Sequence, residues 1–230
     1  MSRKVLVVAA HPDDEVLGMA GTLHRHTRQG DKVGVLFLGE GVSSRGAIDE
    51  TSIRRREQAA SVAARHLGID ILGFGRFPDN ALDTVPLLHL TRFIEHCKHT
   101  FLPDVVYTHH GGDLNIDHRL ASQAVMTAFR PQPGERCTAL LAFEVASATE
   151  WSSPAVTPPF LPDTWVEVST DLGPARRALD CYAEELREHP HTRSREAWET
   201  RIRHRGHQVG VEAAEAFVTL RRVLREGGHP

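Results

Sequence analysis

Short apolar runs alternate with helical stripes along the first half of the chain, and that alternation predicts an α/β fold. Val5-Leu6-Val7-Val8-Ala9 is a continuous apolar run of strand length, as expected of a strand buried on both faces of a parallel sheet. After a polar turn, Val16, Ala20, Leu23 and Thr27 recur at helical spacing, and Gly30-Asp31 closes that helix. Lys32-Val33-Gly34-Val35-Leu36-Phe37-Leu38 reads as a second strand, and the glycine- and serine-rich stretch 39–49 as its loop. A helix is expected over 51–67, with Ile53, Ala60, Ala64 and Leu67 on one face. Asp70-Ile71-Leu72-Gly73-Phe74 and Asp104-Val105-Val106-Tyr107-Thr108 read as strands three and four. Between them, Leu87, Leu90, Ile94, Cys97 and Phe101 form a stripe that makes Cys97 a core thiol. Ala121, Ala124, Val125 and Ala128 start a further helix at or just before His118.

Past Pro131-Gln132-Pro133-Gly134 the rhythm changes. Leu140-Leu141-Ala142-Phe143-Glu144-Val145 is strand-like, but 147–163 is a long stretch of Ser, Pro and Thr carrying Trp151 and Phe160, the kind of loop that serves as a lid. Trp165-Val166-Glu167-Val168 resembles a short strand, and Ala175, Leu179, Tyr182 and Leu186 mark another helix. Segment 189–207, helical around 194–205, reads as a solvated charged face. The run Ala213-Ala214-Glu215-Ala216-Phe217-Val218 fits either a helix or an edge strand. The expected architecture is a single domain over 1–230 with a doubly wound, mostly parallel sheet: a catalytic core in 1–130, then C-terminal strands, lid loop and helices in 131–230.

Composition narrows the setting. A chain of 230 residues suits one substantial core. With 40% hydrophobic and 25% charged residues and a net charge of −3, nothing marks a nucleic-acid partner or membrane insertion. Met1-Ser2-Arg3-Lys4 before the first apolar run superficially resembles a secretory leader, but the run ends before leader length and is read as strand. Cys97, Cys137 and Cys181 are widely spaced and odd in number, which points away from a disulfide framework and fits a reducing cytoplasm. Oligomeric state is left open, a homo-oligomer being compatible with the sequence.

Chemistry concentrates at Ala10-His11-Pro12-Asp13-Asp14-Glu15, between the first strand and the first helix. In open α/β sheets ligands sit at the carboxyl ends of strands. Three consecutive carboxylates beside an imidazole suit a divalent metal; for the acids alone, the alternative is a solvated helix N-terminus. Strand four runs into His109-His110-Gly111-Gly112-Asp113-Leu114-Asn115-Ile116-Asp117-His118, another turn rich in His and Asp. If strands one and four flank the switch crevice, His11, Asp13, Asp14, Asp79, His110, Asp117 and His118 share one rim. Two histidines and a carboxylate with an open fourth position form a catalytic zinc set, able to lower a bound water's pKa to about 7. The first turn lacks Gly-x-Gly-x-x-Gly, which argues against a nucleotide-binding module.

These motifs resemble the PIG-L/LmbE-like zinc deacetylases, which hydrolyse N-acetyl groups, mostly on glucosamine-containing substrates, on a Rossmann-like fold. The resemblance covers roughly the first 130 residues and implies one zinc per chain held by His11, Asp14 and His118, with Asp13 as general base. It further implies a substrate-binding arginine on the second helix, Arg54 with Glu57, or else Arg55 or Arg56, and Asp79 of Pro78-Asp79 as an acceptor for sugar hydroxyls. Many members carry His-Pro-Asp-His where this chain has Asn115-Ile116-Asp117-His118, so the auxiliary histidine is missing from its usual place. His110 is expected to supply its function as positioned donor, neighbouring His109 being the alternative and Asn115 the competing donor toward substrate, with Asp117 orienting a ligand from behind. The expected activity is removal of an acetyl group from an amino sugar or glycoconjugate. Alternatives are an amidase on a thiol conjugate or antibiotic intermediate, and a non-catalytic sugar- or nucleotide-binding module of the same fold.

Overall fold

The structure, a computed structural model, describes residues 2–46 and 49–225; residues 47 and 48 of the expected 39–49 loop lie outside the described residues. Strand β1 (Lys4–Ala9) is flanked on one side by β2 (Lys32–Gly39) and on the other by β4 (Val105–His109), both parallel to it. Beyond β2 lies β3 (Asp70–Phe77), and beyond β4 lies β5 (Ala139–Phe143), again parallel. The sheet is completed by β7 (Ala214–Arg222), antiparallel between β5 and β6 (Thr164–Glu167). Its order is β3-β2-β1-β4-β5-β7-β6, a doubly wound α/β sheet, as the sequence pattern implies.

The apolar strands are buried because helices cover both faces. Val5, Val7 and Ala9 point into one core, with α1 (Asp14–Arg28), α2 (Glu50–Leu67), α5 (Leu172–Asp180) and α6 (Arg195–His207). Leu6, Val8 and Ala10 point into the other, with α3 (Leu87–Phe101) and α4 (Ile116–Ala128). The chain leaves β1 toward β2 and β3 and returns to β4 on β1's opposite side, so the carboxyl ends of β1 and β4 form a switch crevice. Among the described residues, no helix is long and apolar enough to cross a membrane.

Three expectations resolve in the second half. The ambiguous run at 213–218 is strand, because it pairs on both edges. Helix α5 stops at Asp180, short of the apolar stripe's end, and a turn of 3-10 helix at Ala183–Glu185 follows. The 147–163 segment holds no helix or strand and is tied to the loop after β4: Leu114 N donates to Ala148 O at 3.3 Å and Ser152 Oγ to Gly112 O at 2.6 Å.

Candidate active site

The first strand-to-helix turn is strained. Asp13 adopts φ 137°, outside the regions open to L-residues and worth on the order of 1–3 kcal/mol. The surroundings hold it there: its N–H donates to Glu15 Oε2 at 3.0 Å, and its carbonyl accepts from Val16 and Leu17. Asp14 therefore opens α1 fully buried, its Oδ2 accepting from the His11 N–H at 2.8 Å.

Asp14 faces both imidazoles. His11 Nδ1 lies 3.4 Å from Asp14 Oδ2, and His118 Nε2 lies 3.3 Å from Asp14 Oδ1. Each ring is backed by a carboxylate on its far nitrogen: Asp117 Oδ2 at 2.9 Å and Asp79 Oδ1 at 3.1 Å from His11 Nε2, and Asp113 Oδ2 at 3.1 Å from His118 Nδ1. Asp117 is fixed in turn by the N–H groups of Asn80 and Leu82. The fully buried His109 completes the wall. It stacks on His118 at 4.0 Å between centroids, and its Nε2 accepts from the Ala10 N–H.

His11, Asp14 and His118 bring one ligand atom each to within 4.8 Å of one another, as do His11, Asp79 and Asp117. Hydrogen bonding separates the two sets. The Asp79 and Asp117 oxygens already accept from Ser44, Asn80 and Leu82, whereas Asp14 Oδ1 and His118 Nε2 are buried with no hydrogen-bond partner among the described residues. A buried carboxylate oxygen and ring nitrogen left unpaired are costly, and a divalent cation between them satisfies both. The titration behaviour agrees. Burial alone would lower His11 and His118, but the surrounding carboxylates prevail and hold them up at about 10 and about 9. The carboxylates around these rings thus favour positive charge in their midst, whether protons or a cation. His109 goes the other way: burial and the neighbouring His118 push it down to about 3, so it stays neutral.

Beside this cluster, Asp13 Oδ2 sits 3.4 Å from both Arg56 Nη2 and Arg193 Nη1. Arg56 Nη1 also pairs with Glu185 Oε1 at 2.5 Å, and Arg193 Nη1 lies 3.7 Å from Glu185 Oε2. Burial raises the Asp13 carboxyl above the usual range, against the pull of Arg56. Tyr182 donates its hydroxyl to Glu15 Oε1 at 2.7 Å, and burial pushes Glu15 up to about 8.

The three arginines that the sequence leaves open take different environments. Arg54 is 73% exposed and paired with Glu50 on the solvent face, while Arg56, 7% exposed, reaches Asp13. Glu57, the suggested companion of Arg54, pairs with Arg76 instead. Asp79 reaches the rim, but its oxygens face His11 and Ser44. Asn115 caps α4, its Oδ1 accepting from the Asp117 N–H at 2.8 Å. His110 turns toward the covering segment, its Nε2 donating to Pro158 O at 2.9 Å. Arg193, Glu185 and Tyr182 are absent from the site expected from the sequence, and His109, expected there only as an alternative donor to His110, lines the wall behind His118. Arg193 falls in the segment whose charges read as a solvated face, and only its charge in a stretch lacking apolar periodicity hints otherwise.

A family model described as GlcNAc-PI de-N-acetylase, PIG-L, matches residues 6–129. Over 103 residues the chain is 33% identical to a 1D-myo-inositol 2-acetamido-2-deoxy-alpha-D-glucopyranoside deacetylase of Mycobacteroides abscessus, a match covering 37% of this chain and 36% of that protein. Over 138 residues it is 29% identical to a probable N-acetyl-alpha-D-glucosaminyl L-malate deacetylase 2 of Bacillus anthracis, covering 57% and 61%. Both matches thus span less than two thirds of the curated relatives. The crystal structure of the conserved protein TT1542 from Thermus thermophilus superposes with a TM-score of 0.75 at 26% identity, covering 99% of each chain.

Proposed function

Because the chain belongs to the PIG-L family, we propose that it is a zinc-dependent, cytoplasmic N-deacetylase that hydrolyses the acetamide of a small N-acetylglucosamine-containing molecule. One observation carries the reading: Asp14 Oδ1 and His118 Nε2, facing each other at 3.3 Å, are buried in the crevice with no hydrogen-bond partner among the described residues, beside a strained Asp13. His11, Asp14 and His118 would hold the metal, which when bound supplies a Lewis acid for the amide carbonyl and acidifies water.

The chain's own residues divide the remaining work. Asp117 and Asp113 orient the two ligand imidazoles. Asp13 takes the proton of the attacking water; its carboxyl is raised toward neutrality by burial yet held by two guanidinium groups, as suits a general base. Arg56, whose Nε has no partner among the described residues, and Asp79 are the contacts proposed for sugar hydroxyls. Asn115 is held by the α4 cap through its carbonyl; His110 is the donor proposed for the developing oxyanion and the leaving amine, a role that requires its Nε2–H to leave the Pro158 carbonyl.

The test is acetate release by the zinc-loaded protein from N-acetylglucosaminyl-inositol and N-acetylglucosaminyl-malate, repeated after chelation and after zinc is restored. Release that disappears and returns with the metal is expected. Metal binding without release from either compound would redirect the activity to another acylated amine, such as a thiol conjugate or antibiotic intermediate. A protein that binds no metal would overturn the reading.

A further inference from the structure

Helix α1 is bent at Met19, whose φ −157°, ψ 28° are not helical. In an unbroken helix the N–H groups of Gly21 and Thr22 would bond the carbonyls of Leu17 and Gly18. Here Gly21 N donates to Glu215 Oε1 at 2.9 Å and Thr22 N to Glu215 Oε2 at 2.7 Å. The released Leu17 carbonyl accepts from Arg201 Nη2 at 2.6 Å. One carboxylate from β7 thus caps the second half of α1, and one guanidinium from α6 caps the first. Two glycines let the bend approach the sheet: a Cβ at Gly18 would lie 2.6 Å from Phe143 Cδ2, and one at Gly21 would lie 2.7 Å from Val168 Cβ. Glu215 itself is fully buried, 194 residues from Gly21 in sequence.

The bend matters because of what precedes it. The first turn of α1 carries Asp14 and Glu15, and its direction is set at one end by the strained Asp13 and at the other by Met19. Relaxing Met19 to helical angles would swing that turn and carry Asp14 Oδ1 away from His118 Nε2. We propose that Glu215 is a positioning residue for the metal site: with Arg201, its carboxylate holds the Met19 bend that aims Asp14 at His118. The inference rests on the proposed metal-dependent reading, and it assigns a role to a residue that touches neither metal nor substrate.

The experiment measures zinc and cobalt dissociation constants by chelator competition, with the visible spectrum of the cobalt form, well below each variant's melting temperature. Glu215→Ala is expected to weaken metal binding roughly tenfold or more, as loss of a partner that orients ligands does, and to alter the cobalt spectrum. Glu215→Gln, which keeps one acceptor, is expected to lose less. Leu90→Ala, in the core on the opposite face of the sheet, is expected to lower the melting temperature with metal affinity unchanged. If Glu215→Ala fails to fold, Arg201→Ala and Glu215→Gln carry the test, and either is expected to shift both readouts. Wild-type affinity and spectrum in the folded Glu215 and Arg201 variants would overturn the positioning role. A wild-type protein that binds neither metal would instead overturn the metal reading itself.

Discussion

Replacing Arg56 by Ala removes the guanidinium that lies between two buried carboxylates. Asp13 Oδ2 at 3.4 Å, Glu185 Oε1 at 2.5 Å and the Gly41 carbonyl at 3.3 Å all lose a partner. Arg193 remains, but it is more exposed and sits 3.4 Å and 3.7 Å from the two acids. Removing one partner of a buried ion pair costs about 3–5 kcal/mol, because the remaining buried charge is less well compensated. In a chain of this size each kcal/mol moves the melting temperature by about 2–4 °C, giving an expected drop of roughly 6–20 °C. Arg54→Ala breaks only an exposed pair with Glu50, worth about 0.5 kcal/mol or less. Melting curves of the two variants and of Arg56→Ala/Glu185→Gln, followed by circular dichroism with metal absent, are the assay. The double variant is expected to recover part of the loss, since one of the two carboxylates that faced Arg56 is now neutral. A drop of about 2 °C or less for Arg56→Ala, or an equal drop for Arg54→Ala, would refute the burial argument and the arginine register with it.

The adjacent aspartates should separate cleanly: Asp14→Asn and His118→Ala are expected to lose zinc, whereas Asp13→Asn keeps zinc and loses about 10²–10⁴ in kcat, as metal analysis alongside turnover will tell. His110→Ala is expected to lower kcat by about 10²–10⁴ while Asn115→Ala leaves it near wild type; equal kcat in the two variants would remove His110 from the chemistry. Burial raises Glu215 from 4.5 to about 7, so between those values the folded chain keeps a proton that the unfolded chain has lost. Stability attributable to this group therefore falls as pH rises from about 4.5 to about 7, by up to roughly 3 kcal/mol. Glu215→Gln should flatten that part of the curve in urea titrations at pH 5 and pH 8.

Local pattern determined much of the molecule. The apolar run Val5-Leu6-Val7-Val8-Ala9 and its counterparts needed only their own burial preferences to become strands, and the α3 stripe to become a helix. The turn carrying His11, Asp13 and Asp14 could be located because a strand signal and a helix signal meet there. The sequence could not decide which of three consecutive arginines turns inward. Successive helical residues point about 100° apart, so the choice depends on how α2 is rotated against the sheet, and that phase selected Arg56 over Arg54. Partners far apart in the chain were equally out of reach: Arg193 lies 180 residues from Asp13, and Glu215 lies 194 from Gly21. Neither segment has an apolar period tying it to the crevice. Arg193 reads as part of a solvated face and Glu215 as one acid in a run that fits helix or edge strand, until α6 and β7 pack beside α1 and exclude the water, and only that packing turns them into partners of the site.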